Sequence, residues 1–159
     1  PSNKSNIRES IMNLNRLREE LAVDEGVKLV SYLDHLGLKT CGIGHLCRED
    51  DEEFELPVGT PITQERCNEL FDQDIQTTIN DCKKVYDDWF KLPEEVQLIC
   101  ANMMFNLGYP RYSKFKKKIQ AVKDGDWNEA SVQMADSRWF SQVPKRAKRL
   151  IERMEKVEV

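Results

Sequence analysis

The sequence predicts an α+β protein, mainly α, in which a small antiparallel sheet lobe and a helical lobe are joined by one long helix. Three observations lead there. Apolar residues recur at intervals of three and four along most of the 159 residues. One segment breaks that rule: Leu29, Ser31 and Leu33 alternate with Val30, Tyr32 and Asp34, the period of a strand. A single helical stripe then runs for more than twenty residues from Thr63.

Taken in order, Ile7, Ile11, Leu14, Leu17 and Leu21 make an amphipathic first helix that Gly26 is placed to stop. The strand that follows turns at His35-Leu36-Gly37, and Thr40 returns on the next strand, so the sheet is expected near residues 28 to 48. Thr63, with Glu65 in the first turn, is the expected N-cap of the long helix, whose stripe includes Cys67, Leu70, Phe71, Asp74, Ile75, Cys82 and Tyr86. Pro93 opens another helix with Val96, Ile99, Cys100, Met103, Met104 and Leu107 on one apolar face, and Gly108 closes it. Asp126 and Glu129 form a capping box ahead of Trp127. Pro144 begins the last helix behind Val143, which has no side-chain oxygen to cap it. The whole, 1–159, reads as a single domain. Residues 1–16 are a helical extension, about 24–62 the small lobe, about 63–87 the connecting helix, and about 88–159 the helical lobe, which also takes the first helix.

Composition narrows the function classes. A chain 40% hydrophobic and 33% charged can bury one good core. No apolar run reaches the roughly 18 residues of a membrane span, and no signal-peptide pattern is present, so a soluble chain without stable membrane insertion is expected. Five cysteines at 41, 47, 67, 82 and 100 lack metal-ligand spacing; Cys67, Cys82 and Cys100 fall on apolar stripes, whereas Cys41 and Cys47 are expected closer to solvent. Net charge is −4, but residues 1 to 108 hold 11 basic and 21 acidic side chains, −10, and residues 109 to 153 hold 12 and 5, +7. The basic runs Lys114–Lys118 and Lys145–Arg149 can attract an anionic polymer or simply cover solvated helix faces. They lack the interleaved aromatics of nucleic-acid modules, so no nucleic-acid partner is expected. The acidic run Glu49–Glu55 reads as a solvated loop.

The chemistry lies in DEGVKLVSYLDHLGLKTCGIGHL, residues 24 to 46. Glu25 ends a helix and Asp34 ends a strand, so two carboxylates are carried on different elements and can face one another instead of stacking on one helical face. Thr40 can hold a water beside Asp34. Alone, a Glu and an Asp nine apart signify little. With Glu25-Gly26, Asp34, Thr40 and Gly42-Ile43-Gly44-His45-Leu46 in register, the segment resembles the active-site segment of the phage-type lysozymes, or muramidases. Matches continue in the same order through Leu70-Phe71, Gln73-Asp74, Asn102-Met103, Phe105, Gly108, Trp127, Ser137-Arg138-Trp139, Pro144 and Arg146–Arg149. The resemblance covers roughly Leu17 to Arg153. Residues 1–16 lie outside it, and the stretch from Cys47 to Pro61 is shorter than its counterpart and different in sequence.

The resemblance implies a two-lobed lysozyme fold and hydrolysis of the β-1,4 bonds between N-acetylmuramic acid and N-acetylglucosamine in bacterial peptidoglycan, by a monomer without metal or organic cofactor. Glycosidic cleavage needs one protonated carboxyl group and one ionised one. Glu25 is the expected acid, favoured in its neutral form by a less solvated cleft wall, and Asp34 the expected anion directing the water held by Thr40. This arrangement implies inversion, which takes a carboxyl separation of about 6.5 to 9.5 Å. His45 is expected to be a structural partner of Asp74, and Arg146 to position Glu25. Leu46, Phe105, Asn106, Gln133 and Lys118 match saccharide-contacting positions; Lys118 stands where the family has serine. The alternatives are an inactive peptidoglycan-binding domain, or an interaction domain using the N-terminal helix. The enzyme is expected to reach the bacterial wall after release from an infected host or by secretion.

Overall fold

A computed structural model describes the backbone of residues 2–158 and the side chains of residues 14–158. The apolar positions Ile7 and Ile11 therefore lie outside the described side chains. The chain divides into two compact units, Arg18–Thr77 and a discontinuous unit of Pro1–Leu17 with Thr78–Val159. The boundary falls inside α1 (Ser2–Glu25) and again inside α2 (Gln64–Val85).

The Arg18–Thr77 unit holds a three-stranded antiparallel sheet, β1 (Lys28–Leu33), β2 (Lys39–Gly42) and β3 (His45–Leu46), in the order β1-β2-β3. Gly26 ends α1 with φ +74°, and its N–H still reaches Ala22 O at 3.0 Å. The register pairs Tyr32 with Thr40 and Thr40 with Leu46, so those three side chains form one cross-strand row. Cys41 pairs with His45 on the opposite face, and both are buried. Between Lys28 and Tyr32 the ladder bulges. There the outer edge of β1 pairs with the returning loop instead: Ser31 N–H donates to Thr60 O and Ile62 N–H to Leu29 O, each at 3.0 Å. That loop covers an edge that would otherwise be open.

Cys41, Cys47 and Leu70 form the small core under the sheet, with Ile62 packed against them. This corrects the expectation that Cys41 and Cys47 lie near solvent: all five cysteines are buried free thiols. The alternation rule identifies two faces of a strand but not which one is covered, and α2 covers the face that carries the cysteines. Burial, with Cys47 beside it, pushes the Cys41 thiol up to about 12. The Thr63 cap forms as expected, with Arg66 N–H donating to Thr63 Oγ1 at 3.0 Å.

In the other unit the helix expected after Pro93, α3 (Glu94–Leu107), is not amphipathic. Every residue from Val96 to Met104 is buried, Gln97 and Asn102 included. A helix buried all round is the centre of a helical core, and each large apolar side chain enclosed there contributes roughly 1.5–3 kcal/mol. Around it lie α4 (Tyr109–Tyr112), α5 (Lys116–Lys123), α6 (Trp127–Ala135), α7 (Arg138–Gln142) and α8 (Pro144–Glu155). The short α4, α5 and α7 escape periodicity because each spans about two turns or less; buried Tyr112 and Trp139 anchor two of them. Asp126 caps α6 through Glu129 N–H at 3.1 Å. Val143 provides α8 with no side-chain cap, and a two-contact ion pair, Arg153 to Glu95 at 2.7 and 3.0 Å, ties that helix to α3.

Candidate active site

Glu25 is the last residue of α1, half-buried, and its side chain lies against the turn between β2 and β3. Gly44 makes that contact possible. A Cβ on Gly44 would stand 2.5 Å from Glu25 Oε1 and 3.2 Å from its Cγ, and Gly44 also has φ +60°, a conformation that side chains disfavour. The second glycine of the motif is therefore a steric requirement of the glutamate. Gly44→Ala should cut activity about hundredfold by displacing the carboxyl group. Gly42→Ala is the control, since it shares a positive φ of +64° but meets Cys67 Sγ and not Glu25. Lysis rates and thermal melts of the two variants check this; equal activities at equal stability loss would mean that backbone strain alone matters.

Asp34 follows β1 and closes the β1–β2 turn. Its Oδ1 accepts from Leu36 N–H at 2.8 Å and Leu38 N–H at 2.9 Å, while its own N–H donates to Leu38 O at 2.9 Å. Those donors, Leu38 first, hold the carboxyl below the usual aspartate range. Asp34 is thus kept ionised by the same bonds that make the turn. Thr40 is buried and its hydroxyl donates to Leu38 O at 3.1 Å, so one peptide unit links Thr40 to Asp34. With its proton committed, the threonine oxygen still has lone pairs to accept a bond from water. Leu46, half exposed, shares its sheet face with Thr40.

His45 lies on the buried face and bonds two carboxylates. Nδ1 is 2.6 Å from Asp74 Oδ2 and Nε2 is 2.7 Å from Asp51 Oδ2. The Asp74 partner is the one expected, and Asp51 was not legible as a second. Burial alone would lower the histidine's affinity for a proton; the two carboxylates prevail and raise it. Asp51 also accepts from Arg48 N–H at 2.8 Å, and Arg66 stands 3.8 Å away.

The acidic run is correspondingly less solvated than expected. Glu53 is buried with both oxygens on Arg66, at 2.8 and 2.9 Å, and the Lys39 ammonium donates to the carbonyls of Glu53, Phe54 and Leu56. Asp51 and Glu53 fasten the loop, and Glu49, Asp50, Glu52 and Glu55 are exposed.

The latch has a definite pH signature. A histidine whose folded affinity for protons is raised adds stability fully present below its ordinary value near 6.5, and loses it as pH rises through the higher folded value. Asp51, held low mainly by Arg48 N–H and His45 against the opposing effect of burial, adds stability lost as pH falls through its depressed value. His45→Gln should therefore cost about 3 kcal/mol near neutrality and progressively less at alkaline pH. Urea unfolding of both proteins from pH 5 to 10 checks the convergence.

In the helical unit, Arg146 donates through Nε to Asn102 Oδ1 at 2.8 Å and through Nη2 to Asn102 O at 3.4 Å, so the buried Asn102 orients the guanidinium. Asn106 Oδ1 accepts from Trp139 Nε1 at 2.7 Å, leaving its amino group for other contacts. Gln133 Nε2 donates to Glu129 at 2.7 Å and keeps its oxygen as acceptor. Phe105 is half-buried. Lys118 is a correction. It is wholly buried, its ammonium bonded to Tyr112 and lying 3.3 Å from both Tyr86 Oη and Cys100 Sγ. A side chain with no exposed surface cannot touch a polymer, and the run Lys114–Lys118 is not uniformly solvated.

A mainly helical chain carrying this small antiparallel sheet agrees with a lysozyme-like fold, and the family and relatives it matches place it among the glycoside hydrolases. The family model described as Phage lysozyme matches residues 22–156, and the chain belongs to that family. It is 30% identical to "Probable T4-type lysozyme 2" of Dictyostelium discoideum, in an alignment that covers 85% of this chain and 91% of that protein. It is 31% identical to "Pre-baseplate central spike protein Gp5" of Enterobacteria phage T4, across 84% of this chain and 26% of that protein. Similarity to "Peptidoglycan hydrolase gp36" of Pseudomonas phage phiKMV is 28% identity, over 86% of this chain and 15% of that protein. Among the described residues, no helix is long and apolar enough to cross a membrane.

Proposed function

We propose that this chain hydrolyses the β-1,4 bond between N-acetylmuramic acid and N-acetylglucosamine in bacterial peptidoglycan, with Glu25 as general acid and Asp34 directing a water held by Thr40. The observation that carries the reading is the different treatment of two carboxylates in one small unit. Asp34 closes the β1–β2 turn and is bonded to turn N–H groups that favour its anion, and Glu25 is carried on a separate element, at the end of α1 with its side chain against Gly44. Cleavage needs that division of labour: the acid protonates the leaving oxygen as positive charge grows on the sugar, and the anion deprotonates water on the opposite face. The name of the phiKMV relative supports the substrate class.

In this reading the enzyme acts as a monomer and inverts the anomeric centre. Leu46, Phe105, Asn106 and Gln133 are the residues assigned to glycan contact, and Asn102 fixes the direction of the Arg146 guanidinium. Digestion of purified cell walls tests the reading: new reducing ends should be N-acetylmuramic acid. Wall binding without reducing-end release would favour the inactive binding domain.

A further inference from the structure

The sheet face that carries the proposed chemistry includes one polar side chain to which the reading above gives no role. Tyr32 pairs directly with Thr40 across the ladder, Thr40 pairs with Leu46, and Asp34 follows Tyr32 by two residues. Thr40, Leu46 and Tyr32 thus stand in one cross-strand row, and Asp34 lies two residues further along the chain from Tyr32, just beyond the end of β1. Both proposed catalytic carboxylates, Glu25 and Asp34, act electrostatically on the Tyr32 phenol. The ring is partly exposed, and Lys28 Nζ sits 4.1 Å from its centroid, covering one aromatic face with a cation. Among the described residues its hydroxyl makes no hydrogen bond, so the donor is available to a ligand.

We propose that Tyr32 is a further substrate-contacting residue, donating its phenolic hydroxyl to a sugar oxygen beside the bond that is cut. The proposal rests on the assignment of Glu25 and Asp34 as the reacting pair. Three features of the site define the contact. A glycan presents hydroxyl, acetamido and ring oxygens, all of which accept a hydrogen bond. The cation covers one ring face, and the hydroxyl, which makes no hydrogen bond among the described residues, is the group of Tyr32 that can donate to the ligand. Burial first, and then the charges of Glu25 and Asp34, raise the phenol above its ordinary range, so it keeps its proton and remains a donor wherever the carboxylates work.

The test uses three single variants and one double. Tyr32→Phe keeps the ring and the lysine contact but removes the donor; Tyr32→Leu removes both. On soluble peptidoglycan oligosaccharides, Tyr32→Phe should lower kcat/KM about tenfold, as loss of one neutral hydrogen bond predicts, with an unchanged melting temperature. Tyr32→Leu should do little more to kcat/KM. In a Glu25→Gln background, where binding is measured without turnover, adding Tyr32→Phe should weaken affinity for the same oligosaccharide by a similar factor. Normal kinetics for Tyr32→Phe, an impairment confined to Tyr32→Leu, or a Tyr32→Phe loss that tracks a lowered melting temperature would each overturn the proposal and leave the catalytic pair standing. Glu25→Gln that still cleaves would overturn the catalytic pair, and the Tyr32 role with it.

Discussion

Glu25→Gln should reduce wall lysis by about 10²- to 10⁴-fold while leaving the fold intact, because glutamine preserves shape and polarity but has no proton to give the leaving oxygen. The structure makes this a clean substitution. The contact with Gly44 is steric, through Cγ, Cδ and Oε1, and an amide of the same outline fits the same space. At the Gly44 contact the amide brings no steric displacement, and Gly44→Ala supplies the complementary case in which the carboxyl group survives but moves. Release of reducing ends from purified walls, with circular dichroism and a thermal melt as controls, measures both effects. A folded Glu25→Gln protein with near-normal turnover would remove Glu25 from the mechanism and place the acid elsewhere.

The features legible in the sequence are those written in adjacent residues. Gly26 as a helix stop, Thr63 and Asp126 as caps, the uncapped Val143 and the existence of strand β1 are each decided within about six positions, and the structure has them all. The turn at Asp34 is of the same kind, since an aspartate two residues before the turn's centre bonds forward to nearby N–H groups. What the sequence concealed depends on partners far along the chain. Glu53 is buried because Arg66 reaches it across thirteen residues, and Asp51 is drawn to a histidine whose other nitrogen is held from α2. A run of six carboxylates in seven residues gives no sign of which two face inward.

Lys118 shows the limit most clearly. Matching it to a saccharide-contacting position and to a basic run both placed it on the surface, yet it is buried against the hydroxyl groups of Tyr86 and Tyr112, 32 and 6 residues away along the chain. Tyr32 and Gly44 are intermediate cases. Strand parity puts Tyr32 on the side of Asp34 from sequence alone, but only the register across to Thr40 and Leu46 makes a row of them. Gly44 reads as a turn glycine until the glutamate is seen lying on it.

Asp34→Asn should lower activity about 10²-fold or more with the turn preserved, whereas Asp34→Ala should lose the activity and also unfold at a lower temperature. Oδ1 of Asp34 accepts from Leu36 and Leu38 N–H, and an asparagine side-chain oxygen can accept the same two bonds; only the charge disappears. That charge is what deprotonates the attacking water. Because the carboxyl is held below the usual range, wild-type activity should persist below the ordinary aspartate value near 4, and fall only as pH passes through the depressed one, for as long as Glu25 remains competent. The stereochemistry supplies an independent check. If Asp34 directs water to the face opposite the leaving group, the first product has the α configuration, and NMR during the first turnovers should detect it before mutarotation. Initial β product would assign Asp34 the role of nucleophile; in that case Thr40, one peptide unit away through Leu38, would serve to hold the turn and not the water.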